Sequence, residues 1–217
     1  MHWMCLGHFN PPTLDHLQIF QERLETGELY IFPVRFKKNG HEVNASYFPL
    51  TYEERESIIK SVLGDKVKIF PDYTFHAPYM NYVDEVKGEL QPNKKSFELK
   101  DIVLSKVPEP RMAYTGDEGE YKLFTMLGIP TERGERKPVA ATHVRELIYK
   151  EITGEKIEED WRKTLPTSAV DILNSIHERL KGYAEKHFAG QKDPSLGDTL
   201  KIEEYGLKVP LDGLLPD

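Results

Sequence analysis

The chain has 217 residues, and 29 Lys+Arg against 36 Asp+Glu give it a formal net charge of −7. That balance argues against a general binder of nucleic acid or anionic membrane, because such proteins draw affinity from basic patches. One cysteine, Cys5, leaves no intramolecular disulfide and suits a reducing compartment; an apolar fraction of 39% suits a soluble single domain.

In chain order, His2 to Gly7 is a short apolar run closed by glycine and predicts a first strand. Cys5, between Met4 and Leu6, is expected to be a buried strand residue rather than a reactive thiol. Phe9-Asn10-Pro11-Pro12 predicts a rigid turn, since two prolines fix φ and cannot continue a ladder. From Thr13 a helical pattern begins, with Leu14, Leu17, Phe20 and Leu24 at helical spacing and Thr13 as N-cap. Leu29 to Phe36 predicts a second strand, Lys37 to Pro49 a polar loop, and Thr51 to Leu63 a helix with a Thr51/Glu54 capping box. Val67 to Phe70 predicts a third strand.

Tyr79 to Val86 reads as helical, Lys87 to Lys95 as a polar surface excursion, and Phe97 to Val107 as a helix. Arg111 to Thr115 predicts a fourth strand, followed by Gly116-Asp117 and a helix over Glu118 to Leu127. Val139 to Ala141 reads as extended, Thr142 to Glu151 as a helix, and Pro166 to Phe188 as one final amphipathic helix. The tail from Gln191 is expected to be loosely held. The alternation of strands and helices predicts a mainly parallel sheet covered on both faces, with ligands at the carboxyl ends of its strands.

Two segments follow strands and open helices. In Gly7-His8-Phe9-Asn10-Pro11-Pro12-Thr13-Leu14-Asp15-His16, a glycine turn at a helix start offers backbone N–H groups to a phosphate. Thr13 and His16, three apart, share a helix face. In Ala140-Ala141-Thr142-His143-Val144-Arg145, a hydroxyl at a helix start sits one turn from a guanidinium, a good grip for phosphates. From either segment alone, an ordinary capped helix is the better reading. Together they resemble the two motifs of the nucleotidylyltransferase superfamily, G-x-F-x-P-x-[HT]-x-G-H and [ST]-[ST]-x-x-[IV]-R. Gly7, Phe9, Pro11, Thr13 and His16 carry the first, and Thr142, Val144 and Arg145 the second.

Further matches look like the archaeal-type nicotinamide-nucleotide adenylyltransferases. They are the segment Phe48 to Arg55, Tyr114-Thr115-Gly116-Asp117 with Leu123-Phe124, and Glu159 to Pro166. Departures from the pattern are His8 for arginine, Asp15 for glycine, Ala141 for serine and Tyr47 for arginine, with residues 87–100 resembling an insertion.

The resemblance implies an α/β, Rossmann-like doubly wound parallel sheet with a C-terminal helical segment. It implies a core over residues 1–155, a helical segment over 156–190 and a tail over 191–217. The implied reaction is transfer of a nucleoside monophosphate from ATP or CTP to a small phosphorylated acceptor, with release of pyrophosphate and with Mg²⁺ on the triphosphate.

In that reaction Thr13, His16 and Arg145 are the implied catalytic residues. Gly7, His8, Phe9, Asn10, Gly116, Asp117 and Thr142 are the implied nucleotide-binding set. Arg35, Lys37 and Lys38, which follow the second strand, are candidates for the acceptor phosphate, with a solvated basic loop an equal alternative. Tyr79 and Tyr82 are candidates to stack on an acceptor ring, though packing is at least as good a reading of each.

Three functions remain open: a nicotinamide-nucleotide adenylyltransferase-like enzyme, a CTP-dependent cytidylyltransferase acting on a small phosphate or phosphonate, and a degenerate nucleotide-binding protein. No histidine spacing suggests a protein-held metal. No nucleic acid or membrane partner is expected. A homo-oligomer is compatible with the resemblance. With no apolar run near ~18 residues and no signal-peptide pattern, the expected location is the cytoplasm.

Overall fold

A computed structural model describes residues 1–76, 79–87, 89–116, 118–134 and 140–189. Strands β1 (His2–Gly7), β2 (Glu28–Pro33), β5 (Val67–Ile69), β9 (Arg111–Thr115) and β10 (Thr131–Arg133) form one sheet in the order β10-β9-β1-β2-β5. Every pairing in it is parallel. The strand order turns about β1, which places the crevice between β1 and β9 at a topological switch point.

Residues of β1 alternate between the two faces, as a pleated strand requires. Trp3 and Cys5 pack with Leu17 and Phe20 of α1 (Leu14–Thr26) and Ile59 and Leu63 of α2 (Tyr52–Leu63). Met4 and Leu6 pack on the other face, with Leu99 and Val103 of α3 (Lys94–Leu104) and Leu123 and Phe124 of α4 (Glu118–Met126). A third cluster joins α2 to α5 (Ala141–Ile152), Trp161, α6 (Thr167–Ser175) and α7 (His177–Phe188). The fold is thus the α/β doubly wound, Rossmann-like sheet with C-terminal helices. Cys5 is buried, and burial pushes its thiol up to about 12, so it is inert packing.

Several boundaries differ from the sequence expectations. The run Leu29–Phe36 is not one strand. At its middle the Val34 N–H still donates to Gly7 (2.8 Å), but the Arg35 N–H donates to Tyr73 (2.9 Å), so the chain leaves the main sheet. It continues as β3 (Arg35–Lys38), the centre of a small sheet ordered β4-β3-β6, with β4 (His41–Glu42) and β6 (Thr74–His76). The loop expected from Lys37 therefore contains a hairpin, whose Asn39 (φ 52°) and Gly40 (φ 81°) are both left-handed, as a tight primed turn demands.

The stretch 79–86 is a 3-10 turn (Tyr79–Tyr82) followed by β7 (Val83–Val86), which pairs antiparallel with β8 (Glu89–Pro92). Helix α3 starts earlier than expected because the Asn93 side chain caps it, accepting the Lys95 N–H at 2.9 Å. The expected final helix is two helices. The break falls at Ile176, just after Ser175, whose hydroxyl donates back to the Ile172 carbonyl at 2.7 Å. Strand β10 was not expected at all. Val139 lies outside the described residues, and α5 begins one residue before Thr142.

One contact ties the β1–α1 turn to α2. Asn10, 0% exposed, donates Nδ2 to the Leu50 carbonyl (2.9 Å) and accepts the Leu50 N–H at Oδ1 (3.0 Å). Its side chain thus serves as a substitute ladder pair for the residue before the Thr51 cap. Asn10→Ala leaves both Leu50 groups buried and unpaired, a loss of about 3 kcal/mol. For a chain of this size that lowers Tm by roughly 6–12 °C. A thermal melt showing a shift below about 1 °C would mean that the turn holds its shape without this clamp.

Candidate functional site

The site is built on the loop that leaves the central strand β1 at Gly7. A side chain at Gly7 would place its Cβ 3.1 Å from the Phe9 ring and 3.6 Å from the Glu120 carboxylate, so a larger residue would have to push the Phe9 ring aside by a few tenths of an ångström. Phe9 takes φ +47°, a left-handed conformation costly for a bulky residue. That turn directs its ring onto Phe20 (5.1 Å) and onto the edge of His16 (5.3 Å).

Thr13 caps α1 and is 0% exposed. Its Oγ1 accepts the His16 backbone N–H (3.3 Å), while its own N–H donates to His16 Nδ1 (3.1 Å). The cap is therefore a capping box in which histidine takes the place usually held by Glu or Gln. A backbone N–H can only donate, so Nδ1 must accept. The Thr13 hydroxyl, 2.9 Å from the same nitrogen, also donates to it. In the neutral ring the proton is then on Nε2, the nitrogen facing away from the cap. Burial lowers the His16 pKa from 6.5 to about 4, and the nearby Asp15 carboxylate offsets this only in part. Protonating Nδ1 would also set two N–H groups against each other. His16 is a neutral, oriented donor at pH 7.

Two buried arginines grip the loop carbonyls. Arg55, 2% exposed, donates Nη1 to His8 O (2.7 Å) and Nε to Thr51 O (3.2 Å), with Glu42 at 3.6 Å from Nη2. Burial lowers its pKa to about 10, with Glu42 opposing, so it stays charged. Arg145, 4% exposed, donates Nη1 to Asn10 O (2.6 Å) and Nη2 to the Thr142 hydroxyl (3.1 Å). The second segment thus closes onto the first across 135 residues of sequence. Thr142 itself is exposed at the start of α5, whose N-cap Ala140 offers no side-chain cap. A helix start is where backbone N–H groups can meet an anion.

The structure therefore brings together Gly7, His8, Phe9, Asn10, Thr13 and His16 with Thr142 and Arg145. His8 is partly buried, its ring stacked near Phe36 (5.6 Å) and Phe48 (6.3 Å). Gly116 follows β9, the strand beside β1; Asp117 lies outside the described residues.

The acceptor candidates sit elsewhere. Arg35 and Lys37 line a cleft of about 490 Å³ with Tyr82. They occupy the face of β3 opposite Phe36, hence opposite the ring of His8. Tyr82 is buried, its ring edge-to-face with Phe75 (4.9 Å) and its hydroxyl accepting the His76 N–H (3.0 Å), which is a packing role. Lys38 is exposed at the strand end, and the side chain of Tyr79 lies outside the described set.

Two residues were not picked out from sequence as organisers. Arg55 stood in a quoted segment without a role; its signal was a lone arginine one turn after the Thr51 cap, on the helix's buried stripe. Glu120 accepts the hydroxyl of Thr115, the buried last residue of β9, at 2.6 Å, and its other oxygen reaches the space beside Gly7. Its signal was the five-residue spacing from the strand end. It places a carboxylate at the switch-point crevice.

No protein-family description matches the chain, and no characterised protein matches it by sequence. Solved structures do match in shape. One is a bifunctional NMN adenylyltransferase/ADP-ribose pyrophosphatase from Francisella tularensis, at a TM-score of 0.62 and 14% identity. The match covers 87% of this chain and 53% of that one, so this chain spans about half of that protein's length. A protein assigned as a nicotinate-nucleotide adenylyltransferase from Vibrio parahaemolyticus aligns at a TM-score of 0.46 and 16% identity, over 83% of this chain and 95% of that one. The first likeness establishes a shared fold.

Proposed function

We propose that the chain is a nucleotidylyltransferase, moving a nucleoside monophosphate from a triphosphate to a small phosphorylated acceptor. The observation that carries this reading is the His16 ring, held at Nδ1 by the Thr13 N–H beside a loop whose carbonyls accept from Arg55 and Arg145. A glycine turn with its carbonyls neutralised and a helix start beside it suits a phosphate chain.

In this reaction an acceptor phosphate oxygen forms a bond to the α-phosphorus. The bond from that phosphorus to the bridging oxygen breaks, and pyrophosphate leaves with the electron pair. No protein nucleophile is needed, so positioning and charge stabilisation supply the rate. His16 donates Nε2–H to an α-phosphate oxygen. Thr13 positions His16, since its hydroxyl and N–H are both directed to Nδ1. Thr142, the α5 N–H groups and Arg145 hold the β- and γ-phosphates. Gly7 allows close approach, and Gly116 and Asp117 flank the nucleoside. Arg35, Lys37 and Lys38 supply positive charge for the acceptor.

Among the described residues no three His, Cys, Asp or Glu side chains are grouped to hold a metal. Mg²⁺ would come with the triphosphate, as the Mg–triphosphate substrate. Nicotinamide mononucleotide is the first acceptor to test, because the Francisella protein of similar fold is described as acting on it. Among the described residues no helix is long and apolar enough to cross a membrane.

Pyrophosphate release measured with each of ATP, CTP, GTP and UTP, with and without nicotinamide mononucleotide or a panel of small phosphates and phosphonates, tests the reaction. Release that requires both a triphosphate and an acceptor is expected. Silence throughout, with triphosphate still bound, would leave a nucleotide-binding protein.

His16→Ala is expected to lower kcat by about 10²–10³-fold, the usual loss for one oriented donor, with a small change in triphosphate KM. Unchanged turnover would remove His16 from the chemistry. Thr13→Val removes the cap and one of the two Nδ1 donors; it is expected to cost about 1 kcal/mol of stability and a smaller part of kcat.

The His16 ring is expected to titrate near 4 by NMR in the free protein, with the Nε2–H tautomer above that. Its folded pKa lies below the unfolded value of 6.5. The unfolded chain therefore binds more protons between those values, and this group's share of stability is full above about 6.5 and falls as pH drops towards about 4. A titration near 6.5 would show that the ring is solvated and free of the cap.

A further inference from the structure

The cleft beside β3 gathers positive charge apart from the Gly7–His16 loop. Arg35 and Lys37 stand on one face of the small sheet, in register with Thr74 and His76 of β6. Lys95, in the first turn of α3, lines the facing wall. Among the described residues none of these three cations has a carboxylate within 4.0 Å; Arg35 instead donates Nε to Thr74 Oγ1 (3.2 Å) and lies over the Tyr52 ring (5.0 Å). The two acids of the cleft are matched by lysines that do not line it: Asp72 by Lys106 (3.5 Å) and Glu98 by Lys94 (3.6 Å).

What sets these cations apart is that they share one concavity of a chain whose net charge is −7. Here the available carboxylates are drawn outward by other lysines, and three cations converge on one concavity. Like charges held near each other cost free energy that a bound anion recovers. A volume of about 490 Å³ falls within the usual range for small-ligand sites, and the Thr74 hydroxyl, which donates to the Pro71 carbonyl at 2.6 Å, is left to accept from a ligand donor such as a sugar hydroxyl. The hairpin β7–β8 leads directly into α3, so the segment that resembled an insertion supplies Lys95.

We propose that this cleft, between β3, β6 and the start of α3, is a binding site for a compact phosphorylated small molecule, with Arg35, Lys37 and Lys95 as its phosphate-holding residues. Anion binding there stands independently of the transfer reaction. Its assignment to one end of the acceptor rests on the proposed function, whereas a separate phosphorylated effector would use the same chemistry.

The test uses the full chain, with ribose 5-phosphate as the probe followed by amide NMR. Shifts are expected to concentrate at Lys37, His76 and Lys95, and the affinity to fall on raising salt, because the contacts are charge on charge. Lys37→Glu with Lys95→Glu is expected to weaken binding by at least about tenfold. Both side chains reach solvent, and Lys37→Gln with Lys95→Gln provides a milder second pair. Shifts confined to the Gly7–His16 loop, or equal affinity in variants with an otherwise native spectrum, would overturn the proposal.

Where turnover is measurable, a higher acceptor KM in the variants, with kcat and triphosphate KM unchanged, assigns the site to the acceptor. An unchanged acceptor KM, with probe binding lost, assigns it to an effector. Probe binding at the cleft without any turnover would sustain the site while the transfer reading failed.

Discussion

Two buried guanidinium groups hold the carbonyls of the β1–α1 loop, and the rest of the site depends on that arrangement. Carbonyl oxygens facing a phosphate would repel it. Arg55 takes His8 O and Arg145 takes Asn10 O, so the negative ends of these peptides point to protein cations. Burying a guanidinium costs several kcal/mol unless its donors are used. Here Arg55 uses them on two carbonyls, with Glu42 close by, and Arg145 on a carbonyl and a hydroxyl. The framework that holds the two arginines in place explains the C-terminal helices. Glu54 completes the α2 capping box and also accepts from Arg179 of α7 at 2.6 Å, while the cluster around Trp161 packs α6 and α7 against α2 and α5. The C-terminal segment packs on the two helices that carry the arginines.

The same economy governs α1. A capping box usually spends its third helical residue on a carboxylate. With histidine there, the cap also selects a tautomer. The Thr13 N–H and hydroxyl both converge on Nδ1, and Phe9, bent to positive φ, covers one edge of the ring. Stability of the helix end and orientation of Nε2–H are therefore one set of interactions. That is why Thr13 suits a positioning role even though its own hydroxyl is buried.

Much of this was legible in the chain, for local reasons. The strand–turn–helix opening followed from an apolar run, two prolines and helical spacing, and the α2 cap from Thr51 and Glu54. What sequence missed was set by partners far away in the chain. The split at Val34 depends on Tyr73 accepting from Arg35, and β10 is three residues long and exists because β9 lies beside it. The Asn39-Gly40 turn and the Asn93 cap are local signals that sit inside polar stretches. At the site, the residue types were visible but not their states. The neutral ring of His16 follows from burial, which outweighs Asp15, and the role of Arg145 follows from Asn10, 135 positions away.

One departure from the pattern that the sequence resembles, Asp15, can be weighed as charge. Asp15 stands in the first turn of α1, where the helix dipole favours a carboxylate. It pulls the His16 pKa upward, but less than burial pushes it down, so the ring remains a neutral donor. A negative group at this point tells against any ligand lying flat on the helix start, and Glu120 adds a second carboxylate across the crevice at Gly7. Cations meanwhile gather behind the loop, at Arg55 and Arg145, and in the separate cleft with Lys37 and Lys95. On the proposed function, an anionic ligand would be drawn towards the glycine turn and the start of α5. The acidic walls would favour the parts of a ligand that donate hydrogen bonds, such as ribose hydroxyls or an exocyclic amine. Selectivity would then come from where the carboxylates stand as much as from the arginines, because a phosphate placed against Asp15 or Glu120 would be repelled while one placed over the loop would be held.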